Sequence, residues 1–174
     1  MLLDPCSVSF FLVRHAEAGV RTERADDHLR PLSAAGRHQA RSIASVFESA
    51  GVGEILSSPY VRCVETLDPL ADRLGGSVVR TDVLAEGAPI EVVLRLLGDV
   101  PARSVLCTHG DIMQDVLEHV EFADTNGGST DRLAKGVVWV MERSGDRISV
   151  VEVLAAPAIC LSSAGSDVSS LTVR

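Results

Sequence analysis

A chain of 174 residues, 46% of them hydrophobic, is long enough to bury one α/β core without disulfide or metal staples. A formal net charge of −8 with no evident basic patch argues against general binding to nucleic acid or to anionic membranes. The apolar runs are far too short for a membrane span, and the opening MLLDPCSVSFFLV lacks the basic start of a signal peptide, so the expectation is a cytoplasmic protein.

Residues 8–13 (VSFFLV) form an apolar run that predicts a strand covered on both faces. A charged loop follows through Pro31. Ser33 then caps a predicted helix with Ile43, Val46, Phe47 and Ala50 inside, and Gly51 stands at its C-cap. Residues 54–57 (EILS) read as a short strand. Ser58 and Pro59 read as the cap and first position of the next helix, with Val64, Leu67, Ala71 and Leu74 inside and a kink or early stop expected at Pro69. A strand is expected at 77–81. Pro89 opens a helix carrying Ile90, Val93, Leu94 and Leu97 inward and ending at Gly98. A strand at 103–107, a helix at 111–120 and a hairpin of 137–142 with 147–154 complete the pattern. Residues 123–132 read as a loop.

Alternating strands and helices predict an α/β class, a three-layer α/β/α sandwich around a mostly parallel sheet. One domain is expected over 1–155, with an Ala/Ser-rich tail of unassigned structure over 156–174. Cys6, Cys63, Cys107 and Cys160 lack CxxC spacing and read as buried or incidental thiols. Lys135 is the one lysine. The remaining cations are arginines, which suit bidentate contact with phosphate.

In an open α/β sheet, ligands bind beyond the carboxyl ends of the strands. Arg14-His15 follows the first strand, Ser57-Ser58-Pro59 the second, and Thr108-His109-Gly110 the strand SVLC, with Arg62 in the first turn of a helix. Glu86 follows a further strand and precedes Gly87. A neutral imidazole can attack phosphorus and form a phosphohistidine. The phosphoryl charge then needs fixed cationic donors, here Arg14, Arg62 and a protonated His109, and the leaving oxygen needs a proton, here from Glu86. The scheme requires no metal and no cofactor, and the sequence has no ligand cluster at metal-binding spacing. If His15 must be neutral, its usual pKa of about 6.5 predicts a rate that falls in acid.

The segments LVRHAEA (12–18), LSAAGRHQA (32–40), SSPYVRCVET (57–66), LAEGAP (84–89) and VLCTHGDIM (105–113) resemble, in that order, the histidine phosphatase superfamily. The RHAEA signature resembles its small SixA-type phosphohistidine phosphatases more than its sugar-phosphate mutases. The resemblance implies a phosphoglycerate mutase-like fold, His15 as nucleophile, Arg14 and Arg62 as phosphate ligands, His109 as a stabiliser of the transferring group and Glu86 as the acid. Ala16 departs from the glycine that many members carry after the nucleophile. Only 47 positions separate Arg62 from His109, which leaves no room for the helical lid of larger members and implies an open cleft.

The reading is a metal-independent phosphatase acting on phosphoesters or on phosphohistidine, with a phosphorylated small molecule or a phosphoprotein as partner. One alternative is a small-metabolite or nucleotide phosphatase on the same machinery. An alternative of another class is a non-catalytic phospho-ligand binding or regulatory module. Arg21, with Glu17, Arg24 and Arg30 in the same loop, is a candidate for substrate contact. His28, His38 and His119 are assigned no role.

Overall fold

Strand β1 (Val8–Arg14) is central because both of its faces are apolar: Phe10 and Leu12 point to one side, Phe11 and Val13 to the other. In the computed structural model, which describes residues 7–21, 26–123 and 131–155, β1 pairs in parallel with β4 (Val105–Thr108) and antiparallel with β6 (Val138–Ser144). With β2 (Ile55–Ser57), β3 (Val79–Arg80), β5 (Glu121–Phe122) and β7 (Arg147–Leu154) they form one seven-stranded sheet in the order β3-β2-β4-β1-β6-β7-β5. The sheet is mixed. The β3-β2-β4-β1 half is parallel, while β6 runs against both of its neighbours. The predicted hairpin is β6–β7, turning through Gly145 at a φ of 58°. The short β5, parallel to β7, carries no sequence signal and was not expected.

Among the described residues, four α-helices cover the two faces. Helix α1 (Ala34–Val46) and helix α2 (Val61–Leu74) pack with Val13, Ile55, Val105 and Cys107. Helix α3 (Ile90–Asp99) and helix α4 (Gly110–Leu117) pack on the opposite face with Phe10, Leu12, Leu106 and Trp139. Burying each large aliphatic or aromatic side chain of these two cores stabilises the fold by about 1.5–3 kcal/mol. The expected three-layer sandwich is present.

Local details differ from the sequence pattern. Ser33 does cap α1, its Oγ accepting from the Gly36 N–H at 3.0 Å, but the helix stops at Val46 rather than at Gly51. Its inner face is Gly36, Ala40, Ile43, Ala44 and Phe47, and Val46 is exposed. Helix α2 begins at Val61, after an N-cap at Tyr60, so Ser58 and Pro59 precede the helix instead of capping it. Pro69 does not stop α2, which runs on to Leu74 and closes on Gly75 in the left-handed region, with the Gly76 N–H bonded to Ala71 O at 3.0 Å. Leu74 is exposed, and Cys63, Thr66 and Leu70 join the inner face. Helix α3 passes through Gly98 to Asp99. Cys63 and Cys107 are buried free thiols, whereas Cys6 and Cys160 lie outside the described residues. Most of the expected 123–132 loop and the whole 156–174 tail also lie outside them.

Candidate active site

The sheet brings the two histidine segments side by side. Leaving β1 and β4 together, the chain pairs the His15 N–H with Thr108 O at 3.0 Å, so the His15 and His109 rings stand 5.5 Å apart, edge to face. The Ser58 N–H bonds to Cys107 O at 2.9 Å and sets the start of α2 against the same strand end. Thr108 Oγ1 donates to Leu84 O at 2.9 Å, and the Gly87 N–H donates to Asp111 Oδ2 at 2.8 Å. These two bonds hold the loop that carries Glu86. Glu86 follows a short 3-10 turn (Asp82–Leu84), not a strand as the sequence suggested.

His15, Arg14, Arg62, Glu86, His109 and Arg21 therefore line one cleft of about 710 Å³, as expected from sequence. Glu17, Arg30, Gln114 and Lys135 line it too, while Arg24 lies outside the described residues. His38 and His119 are exposed and apart from it.

His15 is 6% exposed. Its Nδ1 lies 2.7 Å from Ala16 O, and a carbonyl only accepts, so Nδ1 carries the proton and Nε2 keeps its lone pair. Burial first, and then the nearby Arg62 and Arg14 cations, bring the His15 pKa down to about 3, against the raising effect of the Ala16 bond. At neutral pH the ring is an uncharged nucleophile with its free nitrogen fixed in place. The Ala16 N–H is itself held by Thr66 Oγ1 at 3.0 Å.

Arg62, 1% exposed, is the hub. Its Nη1 donates to Asp27 O at 2.9 Å and to Asp27 Oδ2 at 3.1 Å. Its Nη2 donates to Glu86 Oε2 at 2.7 Å and faces His109 Nδ1 at 3.2 Å. A guanidinium has no acceptor, so His109 Nδ1 accepts here and its Nε2–H donates to Ser58 Oγ at 2.8 Å. His109 is thus neutral in this arrangement, in place of the protonated form expected from sequence. The Tyr60 ring packs against both His109 and the Arg62 guanidinium, 4.7 Å from each.

Arg14 donates through Nη1 to Leu133 O, and Gly110 makes room for it: a Cβ there would lie 2.6 Å from Arg14 Nη2. Burial lowers the Arg14 pKa, partly offset by Asp131 and Asp111, yet an arginine remains charged. Among the described residues, the buried Nε groups of Arg14 and Arg62 have no hydrogen-bond partner. Two orphaned cationic donors beside a free imidazole nitrogen suit an incoming oxyanion. Among the described residues, no group of three or more His, Cys, Asp or Glu is placed to hold a metal ion. No described helix is long and apolar enough to cross a membrane.

Asp27, Ser58 and Tyr60 complete the arrangement and were missed as site residues. Ser58 resembled a helix cap, and Asp27 sat unmarked in a charged loop.

The family model described as histidine phosphatase superfamily (branch 1) matches residues 10–89. An 8-oxo-(d)GTP phosphatase of Mycolicibacterium smegmatis is 29% identical over 155 residues, covering 84% of this chain and 48% of the relative. The chain thus spans about half the length of that relative. Among solved structures, the SixA protein of Agrobacterium tumefaciens is 25% identical with a TM-score of 0.66, covering 85% of this chain and 97% of that one. A protein histidine phosphatase SixA complexed with tungstate shares the fold at a TM-score of 0.69 and 18% identity, with the same coverage of 85% and 97%.

Proposed function

Because the histidine phosphatase superfamily model matches residues 10–89, we propose that this chain belongs to that family and is a metal-independent phosphatase that works through a phosphohistidine at His15. The observation that carries this reading is the His15 ring itself. Its Nδ1–H is committed to Ala16 O, and its free Nε2 belongs to a cleft lined by Arg14, Arg62 and His109.

In the first step Nε2 forms a bond to phosphorus as the bond from phosphorus to the leaving oxygen breaks. Arg14 and Arg62 neutralise the equatorial oxygens as preorganised donors. Glu86 protonates the leaving oxygen. Arg62 holds Glu86 as an acceptor at 2.7 Å, so the phosphoryl group must take Glu86's place on Nη2, and the freed carboxylate must take up a proton from water, before the acid can act. In the second step a water oxygen bonds to phosphorus as the bond from phosphorus to His15 Nε2 breaks, Glu86 receives the water's proton, and inorganic phosphate leaves.

Two substrate classes suit the cleft. A phosphohistidine side chain on a protein surface is favoured by the short span between Arg62 and His109, which carries no helical lid among the described residues, and by the SixA-like fold. A nucleotide or other small phosphorylated metabolite is the second reading. It is supported by the cationic Arg21 and Lys135 on the cleft wall and by the similarity to the 8-oxo-(d)GTP phosphatase.

The test is hydrolysis of p-nitrophenyl phosphate in excess chelator by the wild type and by His15→Ala. Turnover that survives chelation and disappears in the variant supports the proposal. Full turnover in His15→Ala overturns it. A wild type that binds tungstate without turning over any phosphoester or phosphohistidine protein would instead be a binding module. Comparing kcat/KM for a nucleoside triphosphate and a phosphohistidine protein separates the two substrate readings.

A further inference from the structure

Asp27 hydrogen-bonds two of the arginines that line the cleft, Arg30 and Arg62, and lies 3.9 Å from a third, Arg21, without lining the cleft itself. It occupies both N–H groups of Arg62 Nη1, one through its main-chain oxygen and one through Oδ2. Its other carboxylate oxygen, Oδ1, accepts from Arg30 Nε at 2.7 Å, and Arg30 in turn donates through Nη1 to Gly19 O at 2.9 Å. Asp27 thus fastens the loop after the nucleophile strand to the phosphate-facing arginine of α2. The hydrogen bond from Arg30, with Arg62 and Arg21 nearby, holds the Asp27 carboxyl below its usual range, so it stays charged at neutral pH.

Resting on the phosphatase reading above, we propose that Asp27 is a positioning residue: from behind the cleft it fixes the Arg62 guanidinium in the orientation that turns Nε and Nη2 toward the transferring phosphoryl group. Two features argue for positioning over simple charge balance. The contact is two-point, through main chain and side chain of one residue, which fixes the guanidinium plane as well as its location. Among the described residues Arg62 has no rival partner at Nη1, so loss of the carboxylate leaves that end held by one main-chain oxygen. Misplacing a transition-state donor by about 1 Å lowers a rate by up to about a hundredfold. Removing a carboxylate from behind a cationic site does not by itself weaken the binding of an anion.

The test measures kcat on p-nitrophenyl phosphate and the inhibition constant of tungstate for wild type, Asp27→Ala and Asp27→Asn, with thermal melts to verify folding. Asp27→Ala is expected to lower kcat about tenfold to a hundredfold while the tungstate constant stays within about threefold. Asp27→Asn keeps a single acceptor oxygen for two arginines and should fall between. A wild-type kcat in Asp27→Ala overturns the proposal. So does parallel loss of turnover and tungstate binding in a folded Asp27→Asn, which would mark the residue as structural or as a ligand contact. If Asp27→Ala does not fold, the split in Asp27→Asn decides. A wild type without His15-dependent turnover overturns the phosphatase reading itself, and this proposal with it.

Discussion

The Nδ1–H of His15 is bonded to the carbonyl oxygen of its own neighbour, Ala16, at 2.7 Å. That contact fixes the tautomer, and burial does the rest, bringing the pKa down to about 3. The acid limit expected from sequence, near the usual histidine value of about 6.5, therefore moves down by several pH units. Ring NMR of His15 should show a Nδ1–H tautomer and no titration between about pH 5 and 8. After correction for ionisation of the substrate, the rate should show no break near pH 6.5 that belongs to His15. A His15 midpoint above about pH 5.5 would contradict this account of the nucleophile.

The same shift has a stability consequence. Below about pH 6.5 the unfolded chain protonates His15, while the folded chain does not until about pH 3. Between those values the unfolded state binds more protons, so stability falls as the pH falls and levels off below the folded value. The His15 share of the slope is at most about 1.4 kcal/mol per pH unit. In His15→Gln that share is absent. Denaturant midpoints at pH 7 and pH 4.5 should therefore draw closer together in the variant, by roughly 2 kcal/mol when converted to free energy. Equal acid sensitivity of the two proteins would show that His15 is not held neutral by the fold.

Two glycines separate steric causes. At Gly36 a Cβ would lie 1.8 Å from Glu17 O, a backbone atom of the loop beyond the nucleophile. Backbone cannot yield cheaply, so Gly36→Ala should cost about 2–3 kcal/mol of stability and reduce turnover together. At Gly110 the Cβ meets the far end of Arg14 at 2.6 Å. That side chain can move, so Gly110→Ala should keep most of its stability and lose phosphate affinity, read as a raised KM. Measuring melting temperature and KM on both variants tests the distinction.

Much of this was legible in the sequence, and for physical reasons. The apolar run before Arg14 and the run before Thr108 could only be interior strands, and strand ends are where an α/β sheet binds ligands. That placed His15 and His109 together although 94 positions separate them. What periodicity could not reach were the polar supports. Ser58-Pro59 carries the residue types of a helix start, but its hydroxyl is claimed by His109. Asp27 has no apolar pattern around it, and its meaning comes from Arg62, which lies 35 positions further on. The end of α1 at Val46 was missed because Phe47 and Ala50 continue the helical spacing after the hydrogen bonding has changed.

Ser58 gives the clearest check on the site's tautomers. Its Oγ accepts from His109 Nε2 at 2.8 Å, which leaves His109 Nδ1 aimed at Arg62. Ser58→Ala should lower kcat about tenfold by freeing the ring, with a stability loss of about 1–2 kcal/mol from the orphaned buried donor. Retained kcat with only the stability loss would mean that the Ser58 contact does not orient His109 for catalysis.

The central claim is a covalent phosphohistidine at His15, and the most direct measurement is to trap it. The enzyme would be mixed with a labelled phosphoester, quenched in base within milliseconds to preserve the acid-labile phosphorus–nitrogen bond, digested and read by mass spectrometry. The account predicts a phosphoryl group on the His15 peptide, formed in excess chelator and absent from His15→Ala. Turnover without any phosphoryl group on that peptide, continuing undiminished in His15→Ala, would contradict it.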